Sequence, residues 1–435
     1  MTLDKPMIAT APEDILGFVP HVLGYWPDQS LVAMTTQGNS LGATLRVDLP
    51  DTDRPDQLAA FAEQVSDYLS ADEKADGVLL AVFTDSGWET NSVGGTWRPM
   101  LSSLAERLAA SGTPVKVAWL VGHEYWRDAS CDDERCCPLP GRSVQLIKDS
   151  RVNAEMVYRG SSVRQAPSDV DIYGDCAPYM RSLATAEDGS ESSEDGFLSL
   201  LEPHWRDRAC FEAVLHMWSS LRVAKKLRSG EISLESANFL RATLRVPGWR
   251  DAIAVMAAAG FADAYRGADD FGFLMDAESC DAGLPDGVPV ELLQLSAQAT
   301  RTVCKAGPSE DGSPGAPAVA VHGTTAVAAT YGDVLLGLAP DVPDWTAMQT
   351  LDDMLKALAG FGGGEARAAC LTLRGWIEWC RGRGSYADSL YRAALRELPS
   401  YRLAELLQEV VLRGTLCGWA RRSEAAWRRF GTAAA

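Results

Sequence analysis

Two short apolar runs, Gly77–Phe83 and Val115–Val121, constrain the fold of this 435-residue chain most strongly. Each run is long enough for one buried strand and far too short to span a bilayer. Between the two runs, apolar residues recur at helical spacing, at Trp97, Leu101, Leu104 and Leu108. A helix between two strands that are apolar on both faces favours a βαβ unit and a mostly parallel sheet.

A β-hairpin is predicted upstream of these runs, at residues 30–49. Its first strand leads into a turn rich in residues that tolerate positive φ. Its second strand then alternates, with one apolar face formed by Ala43, Leu45, Val47 and Leu49. An amphipathic helix follows at residues 55–70. We therefore predict an α/β N-terminal domain whose mixed sheet contains an N-terminal hairpin and βαβ units.

Helical periodicity dominates the rest of the chain. One helical pair has the small, aromatic and proline spacing of a tetratricopeptide repeat (TPR), at Ala368, Gly375, Ala387, Tyr391, Ala394 and Pro399. We expect an all-α C-terminal region with a single TPR-like hairpin, since stacked repeats need several neighbours. The predicted segments are 1–160 (α/β domain), 161–196 (linker and irregular segment), 197–305 (helical region), 306–343 (flexible linker and irregular segment) and 344–435 (helical, TPR-like).

Charge and cysteine content narrow the class of protein. The formal net charge of −19 disfavours a nucleic-acid binder, which needs Lys and Arg to neutralise phosphates. Ten dispersed cysteines do not resemble a disulfide framework, and the first residues lack the segments of a signal peptide. We therefore expect a cytoplasmic protein without a membrane partner. Residues 365–435 carry 12 Arg and 7 acidic residues, so the helical C-terminal half could dock a protein partner.

Polar residues follow both apolar runs. Asp85 comes shortly after the first run and His123 shortly after the second. Ligands of open parallel sheets bind outside the carboxyl ends of the strands. A carboxylate and an imidazole at this edge could perform acid–base chemistry. The alternative is that Asp85 opens a turn and His123 ends a strand.

A cysteine-rich loop is the second candidate site. Cys131, Cys136 and Cys137 all lie in one seven-residue stretch, which belongs to a polar, aspartate-rich segment. Thiolates this close in sequence can hold zinc, with His123 or Cys176 as a fourth ligand. A redox-sensitive disulfide and simple structural thiols are the two alternatives.

No complete catalytic motif is present. His123 and Glu124 begin like a zincin helix, but Arg127 stands where the second histidine must be. The glycine run 362–364 lacks the Lys-Ser/Thr pair of a phosphate-binding loop. There is also no G-x-S-x-G elbow, so the sequence leaves open whether the protein is an enzyme.

Four stretches of the chain, in order, resemble one family. They are the string 19–32 (VPHVLGYWPDQSLV), the segment 45–50 (LRVDLP), the cysteine loop 131–138, and the helical region 374–407. Together they resemble the actinobacterial family called domain of unknown function 4192. The resemblance implies a cytoplasmic protein of high-GC bacteria and brings no assigned activity, substrate or cofactor. It singles out, besides the cysteine loop, Gly24, Pro27, Ser30, Arg46 and Asp48.

These hallmark residues have two readings. Gly24 and Pro27 suit a stiff entry to the hairpin, and Ser30 can bond nearby backbone where the strand begins. Ser30, Arg46 and Asp48 could bind a ligand, because Arg can grip a carboxylate or phosphate with two hydrogen bonds. An internal Arg46–Asp48 pair with a capping serine is the alternative.

The function that we predict is a ligand- or protein-binding regulatory or scaffold module. One alternative is a small-molecule enzyme with its site near Asp85 and His123, with zinc as a candidate cofactor. The other is a thiol redox sensor that uses the loop from Cys131 to Cys137.

Overall fold

The computed structural model describes residues 7–86, 88, 95–131, 133, 135–164, 166, 193–275, 284–303 and 330–428, without the side chains of 297–303. The chain divides into two compact units. Unit 1 comprises Met1–Asp169 and Arg421–Ala435, and unit 2 comprises Val170–Ala420. Most of the two predicted linkers lies outside the described residues. These parts are residues 167–192 of segment 161–196 and residues 306–329 of segment 306–343.

A mixed sheet forms the centre of unit 1. Its six described strands are β1 (Ser30–Gln37), β2 (Ser40–Asp48), β3 (Gly77–Phe83), β4 (Val115–Val121), β5 (Tyr125–Asp128) and β6 (Arg142–Ser143). They lie in the order β2-β1-β3-β4-β5-β6. Within this sheet β3 and β4 pair in parallel, and the other neighbours are antiparallel.

Helices cover both faces of this sheet. The helices of unit 1 are α1 (Pro12–Leu23), α2 (Pro55–Leu69), α3 (Arg98–Ala110), α4 (Gln145–Lys148) and α5 (Arg151–Tyr158). One core cluster joins α2 and α3 to Leu31, Leu80 and Leu120 of the sheet. A second cluster, on the opposite face, joins α1 and α4 to Val32, Phe83 and Trp126. Alternating side chains of β1 and β3 therefore pack into two separate cores, which explains why both strands are buried along almost their whole length.

The predicted α/β class and the hairpin are confirmed, but parallel pairing is less extensive than predicted. The β3–α3–β4 segment is the predicted βαβ unit. The hairpin instead inserts β1 between β2 and β3, so β2 and β3 run in the same direction without touching. Sequence periodicity reports the burial of a strand, whereas the partner of a strand depends on contacts distant in the chain.

The hallmark string 19–32 forms the end of α1 and the entry to β1. The helix continues through Pro20 and ends at Gly24, which has φ = 88° and donates its N–H to Pro20 O at 2.7 Å. This left-handed conformation favours glycine. The irregular connection begins only after Leu23 and leads the chain to Ser30, where β1 begins.

The regular elements described in unit 2 are all helical. They are α6 (Glu194–Leu201), a 3₁₀ turn (Glu202–His204), α7 (Arg208–Ser219), α8 (Leu221–Ser229), α9 (Leu234–Leu244), α10 (Pro247–Ala259), α11 (Phe261–Asp270), α12 (Val290–Val303), α13 (Tyr331–Leu335), α14 (Trp345–Ala359), α15 (Gly364–Cys380), α16 (Gly384–Glu397) and α17 (Arg402–Leu412). Helices α15 and α16 pack as a pair across a three-residue connection. The TPR-like nature of this pair stays a prediction. Among the described residues, no helix is both long and apolar enough to cross a membrane.

Candidate functional site

The strand register brings most of the candidate ligand-binding residues to one edge of the sheet, which we call the rim. Ser30 lies opposite Asp48 on one side and Phe83 on the other. Phe83 in turn lies opposite Val121. The loops that follow β3 and β4 therefore leave the sheet at the end where β1 begins and β2 ends.

The structure brings Asp85 and His123 into direct contact at the rim. The backbone N–H of His123 donates to Asp85 Oδ1 at 2.7 Å, and the imidazole Nδ1 is hydrogen-bonded to Asp85 Oδ2. Both side chains are accessible, with 52% of Asp85 and 73% of His123 exposed. Among the described residues, Nε2 of His123 has no hydrogen-bond partner. The carboxylate therefore orients the imidazole and leaves its second nitrogen open to solvent.

Gly122 permits this contact. A Cβ at this position would come within 3.1 Å of both Asp85 Oδ1 and Trp88 Nε1. Trp88 is itself fixed, because its indole N–H donates to Thr84 O at 2.9 Å. A larger residue at 122 would displace Asp85 and Trp88, which follow β3, away from His123. The predictions from sequence did not include Gly122 or Trp88, whose importance depends on how closely two distant loops approach.

A shallow, open depression of ≈ 280 Å³ lies beside His123. Its lining consists of His123, Glu124, Tyr125, Ser143, Val144, Gln145 and Lys148. The lysine ammonium also lies 5.5 Å from the ring centroid of Trp26, which belongs to the hallmark string. The depression therefore offers one cation, one carboxylate, an imidazole and several neutral hydrogen-bonding groups to a small ligand.

Ser30, Arg46 and Asp48 also meet, but they bind one another. Arg46 Nε donates to Ser30 Oγ at 2.8 Å, and its Nη2 lies 2.6 Å from Asp48 Oδ1. The Ser30 hydroxyl donates to Asp28 O at 2.5 Å. Because these contacts occupy the Nε and Nη2 nitrogens of the guanidinium, the arrangement favours the alternative of an internal pair with a capping serine.

The three cysteines of the loop after β5 converge. Their Sγ atoms all lie within 4.8 Å of one another, and those of Cys136 and Cys137 are 4.0 Å apart. All three are free thiols; Cys136 is exposed and Cys137 is buried. Asp133 O accepts hydrogen bonds from the backbone N–H groups of Cys136 and Cys137, at 3.0 and 2.7 Å. Burial, together with hydrogen bonding to the Cys131 thiol, raises the pKa of Cys137 to about 11.

A buried arginine contacts the same loop. Only 3% of Arg127 is exposed, and its Nη2 donates to Cys131 O at 2.9 Å and to Cys137 O at 3.5 Å. Its Nε and Nη1 have no hydrogen-bond partner among the described residues. Sequence reasoning considered Arg127 only as the residue that breaks a zincin motif, because an isolated arginine is usually exposed.

His123, one of the two suggested fourth ligands, does not join the three cysteines. Strand β5 separates His123 from the cysteine loop, and His123 is bound to Asp85. Among the described residues, the potential metal ligands that converge here are the three cysteines. Cys176 lies outside the described residues.

One protein family matches the chain, over residues 12–267 and 296–415, and its description is Domain of unknown function (DUF4192). The chain belongs to this family. The match to DUF4192 includes the rim residues, the cysteine loop and most of the helical half. No curated protein and no solved structure is significantly similar to the chain.

Proposed function

We propose that this DUF4192 protein is a binding module that takes up a small ligand with an anionic group at the rim. The observation that carries the proposal is the position of His123, held by Asp85 at the edge of the open depression. The volume of ≈ 280 Å³ is slightly below that of pockets for drug-sized ligands, which indicates a small ligand.

Lys148 supplies the charge for this recognition. Lys148 lines the depression, and an ammonium group can pair with a carboxylate or phosphate. Glu124 lines the same surface, so a ligand that also carries a donor group is favoured over a simple anion. His123 adds a hydrogen-bonding nitrogen that can act as donor or acceptor, depending on its protonation.

A thermal-shift screen of the full chain against small carboxylates and phosphates tests this proposal. We expect H123A and K148M each to weaken binding of an identified ligand about tenfold or more, because each loses a charged or polar contact. The controls H216A and K74M remove an exposed histidine and an exposed lysine that do not line the depression, and should bind normally. Equal binding by all four variants would refute the rim as the site.

An acid–base enzyme at the same rim is a second candidate, and the hydrogen bond between Asp85 and His123 favours it. A carboxylate that orients an imidazole at Nδ1 leaves Nε2 to accept or donate a proton. D85N would then abolish turnover of a bound ligand while largely preserving its affinity. A ligand that binds with no chemical change would leave the binding module as the function.

The docking of a protein partner by the helical half stays a prediction. Many arginines of the stretch 365–435 lie within ion-pair distance of carboxylates of unit 2. These pairs include Arg367–Glu397, Arg374–Asp352, Arg383–Glu378, Arg392–Asp388 and Arg413–Glu409. These pairings reduce the positive charge that the stretch offers to an acidic partner, so we base the proposed function on the rim.

A further inference from the structure

Three thiols and one buried guanidinium meet at the loop that follows β5, and none of these four residues lines the rim depression. From this arrangement we propose that Cys131, Cys136 and Cys137 bind one Zn²⁺ ion as thiolates, and that Arg127 neutralises the charge of the complex. The inference is independent of the proposed ligand site, since the two sites share no residue.

The sulfur positions fit a zinc site closely. A tetrahedral ion with Zn–S bonds of about 2.3 Å places its sulfur ligands about 3.8 Å apart. The Sγ atoms of Cys136 and Cys137 are 4.0 Å apart, and all three Sγ atoms lie within 4.8 Å of one another. Side-chain adjustments of about 1 Å or less would therefore bring all three sulfurs to bonding distance.

The backbone already holds the loop in a shape that a metal can use. Asp133 O receives two consecutive N–H groups, those of Cys136 and Cys137. Arg142, which lies on β6 next to β5, donates from Nη2 to Cys136 O at 3.3 Å. Such contacts to the backbone of metal ligands orient the ligands and limit the entropy lost on binding. The cluster is therefore more than a coincidence of neighbouring cysteines.

Arg127 places a buried positive charge beside the cysteine loop. A buried cation is costly unless it is paired, and Arg127 has no carboxylate within ion-pair distance among the described residues. Two of its nitrogens also have no hydrogen-bond partner there. Binding breaks three S–H bonds, forms three Zn–S bonds and releases three protons to solvent, without oxidation or reduction. The complex of Zn²⁺ with three thiolates carries one negative charge, which the guanidinium balances.

The number of ligands among the described residues is that of an open zinc site. These three ligands leave one tetrahedral position for water or another small ligand, as in catalytic zinc sites. Cys136 is exposed, so solvent reaches the loop. Structural zinc sites, by contrast, are usually closed by a fourth protein ligand.

Metal analysis of the full chain, expressed with added zinc and purified under reducing conditions, tests the ligands. We expect one zinc per chain in the wild-type protein and loss of that zinc in C131S, C136S and C137S. C210A is the matched control, because Cys210 is a buried thiol in unit 2, and it should keep its zinc. Cobalt substitution should give thiolate charge-transfer absorption that is weaker in each of the three variants.

Two results would overturn the zinc assignment. One is a wild-type metal content no higher than that of a variant lacking all three cysteines. The other is a disulfide among these cysteines after the protein is exposed to air in the presence of zinc. Mass spectrometry would detect it as a peptide that contains the cysteines and is lighter by two hydrogens. The second result would establish the loop as a redox-active thiol pair instead.

Competition with a chelator tests the role of Arg127. We expect R127M to weaken zinc binding about 10- to 100-fold, as for other residues that support metal ligands. R127K keeps the charge and should bind more tightly than R127M. R135M removes an exposed arginine from the same loop and should leave the affinity unchanged.

The lysine variant also covers the case in which R127M does not fold. Zinc affinity in R127K within about tenfold of wild type would support charge compensation. A loss in R127K as large as that in R127M, or of about 100-fold if R127M cannot be measured, would contradict it.

Discussion

Glu291 connects three helices of unit 2, and its removal gives a prediction with a definite pH dependence. One carboxylate oxygen lies 2.7 Å from Lys226 Nζ on α8. The other accepts hydrogen bonds from Ser233 N, Ser233 Oγ and Ser236 Oγ at 3.1, 2.6 and 2.7 Å. Ser233 is the N-cap of α9, so the carboxylate of α12 fixes the connection between α8 and α9.

These contacts lower the pKa of Glu291. Burial by itself would raise the pKa, but the hydrogen bonds from Lys226, Ser233 and Ser236 outweigh it and lower the value from 4.5 to about 2. One pKa unit corresponds to about 1.4 kcal/mol, so the shift corresponds to about 3 kcal/mol. The side chain is 21% exposed, and allowance for screening by water leaves about 2–3 kcal/mol.

The lowered pKa of Glu291 determines how its contribution to stability depends on pH. A carboxylate whose pKa is lower in the folded state stabilises the fold fully above its unfolded pKa, and this contribution disappears as the pH falls towards the folded pKa. We therefore expect E291Q to lower the free energy of unfolding by about 2–3 kcal/mol near neutral pH. The difference between wild type and E291Q should then decrease between pH 4.5 and about 2.

Urea denaturation at a series of pH values, followed by far-UV circular dichroism, measures this difference. E231Q is the control, because it removes an exposed carboxylate near the same helices and should leave the free energy of unfolding close to that of wild type. A gap between wild type and E291Q that stays constant as the pH falls through this window would refute the electrostatic reasoning.

Two further predictions concern the core of unit 2. D352N should destabilise the protein by about 3–5 kcal/mol in urea denaturation, because Asp352 lies 3.0 Å from both Arg374 and Arg381, which are almost fully buried; a loss below about 1 kcal/mol would contradict this. G375A should lower the melting temperature, because its Cβ would come within 2.4 Å of a buried tyrosine ring on α16. G384A, whose nearest contact would be 3.7 Å, should be neutral, and an equal effect of the two alanines would show that packing is not the cause.

The hairpin and the βαβ unit were predictable because they depend on local patterns. The apolar runs of β3 and β4 have the bounds expected from sequence, and the alternation in β2 places Leu45 and Val47 against the core. Strands β5 and β6 were not predicted. They are four and two residues long, too short for a periodic signal, and Trp126 and Arg142 pair only because the fold brings their segments together.

The candidate sites show the same division. The approach of Asp85 to His123 followed from topology, since the ends of adjacent parallel strands share an edge. The close approach of Gly122 to Trp88, and the engagement of Arg46 by Ser30 and Asp48, depend on side-chain geometry across strands. No local pattern reports such contacts.

The sequence by itself determined the local elements of this protein: the buried strands, the amphipathic helices, and the grouping of three cysteines in one polar loop. The tertiary structure alone decided that Arg127 lies buried against that loop and that two nitrogens of its guanidinium have no hydrogen-bond partner among the described residues. The physical reason is range. Periodicity and turn preference act over a few residues, whereas burial and charge pairing depend on residues that only the folded chain brings together.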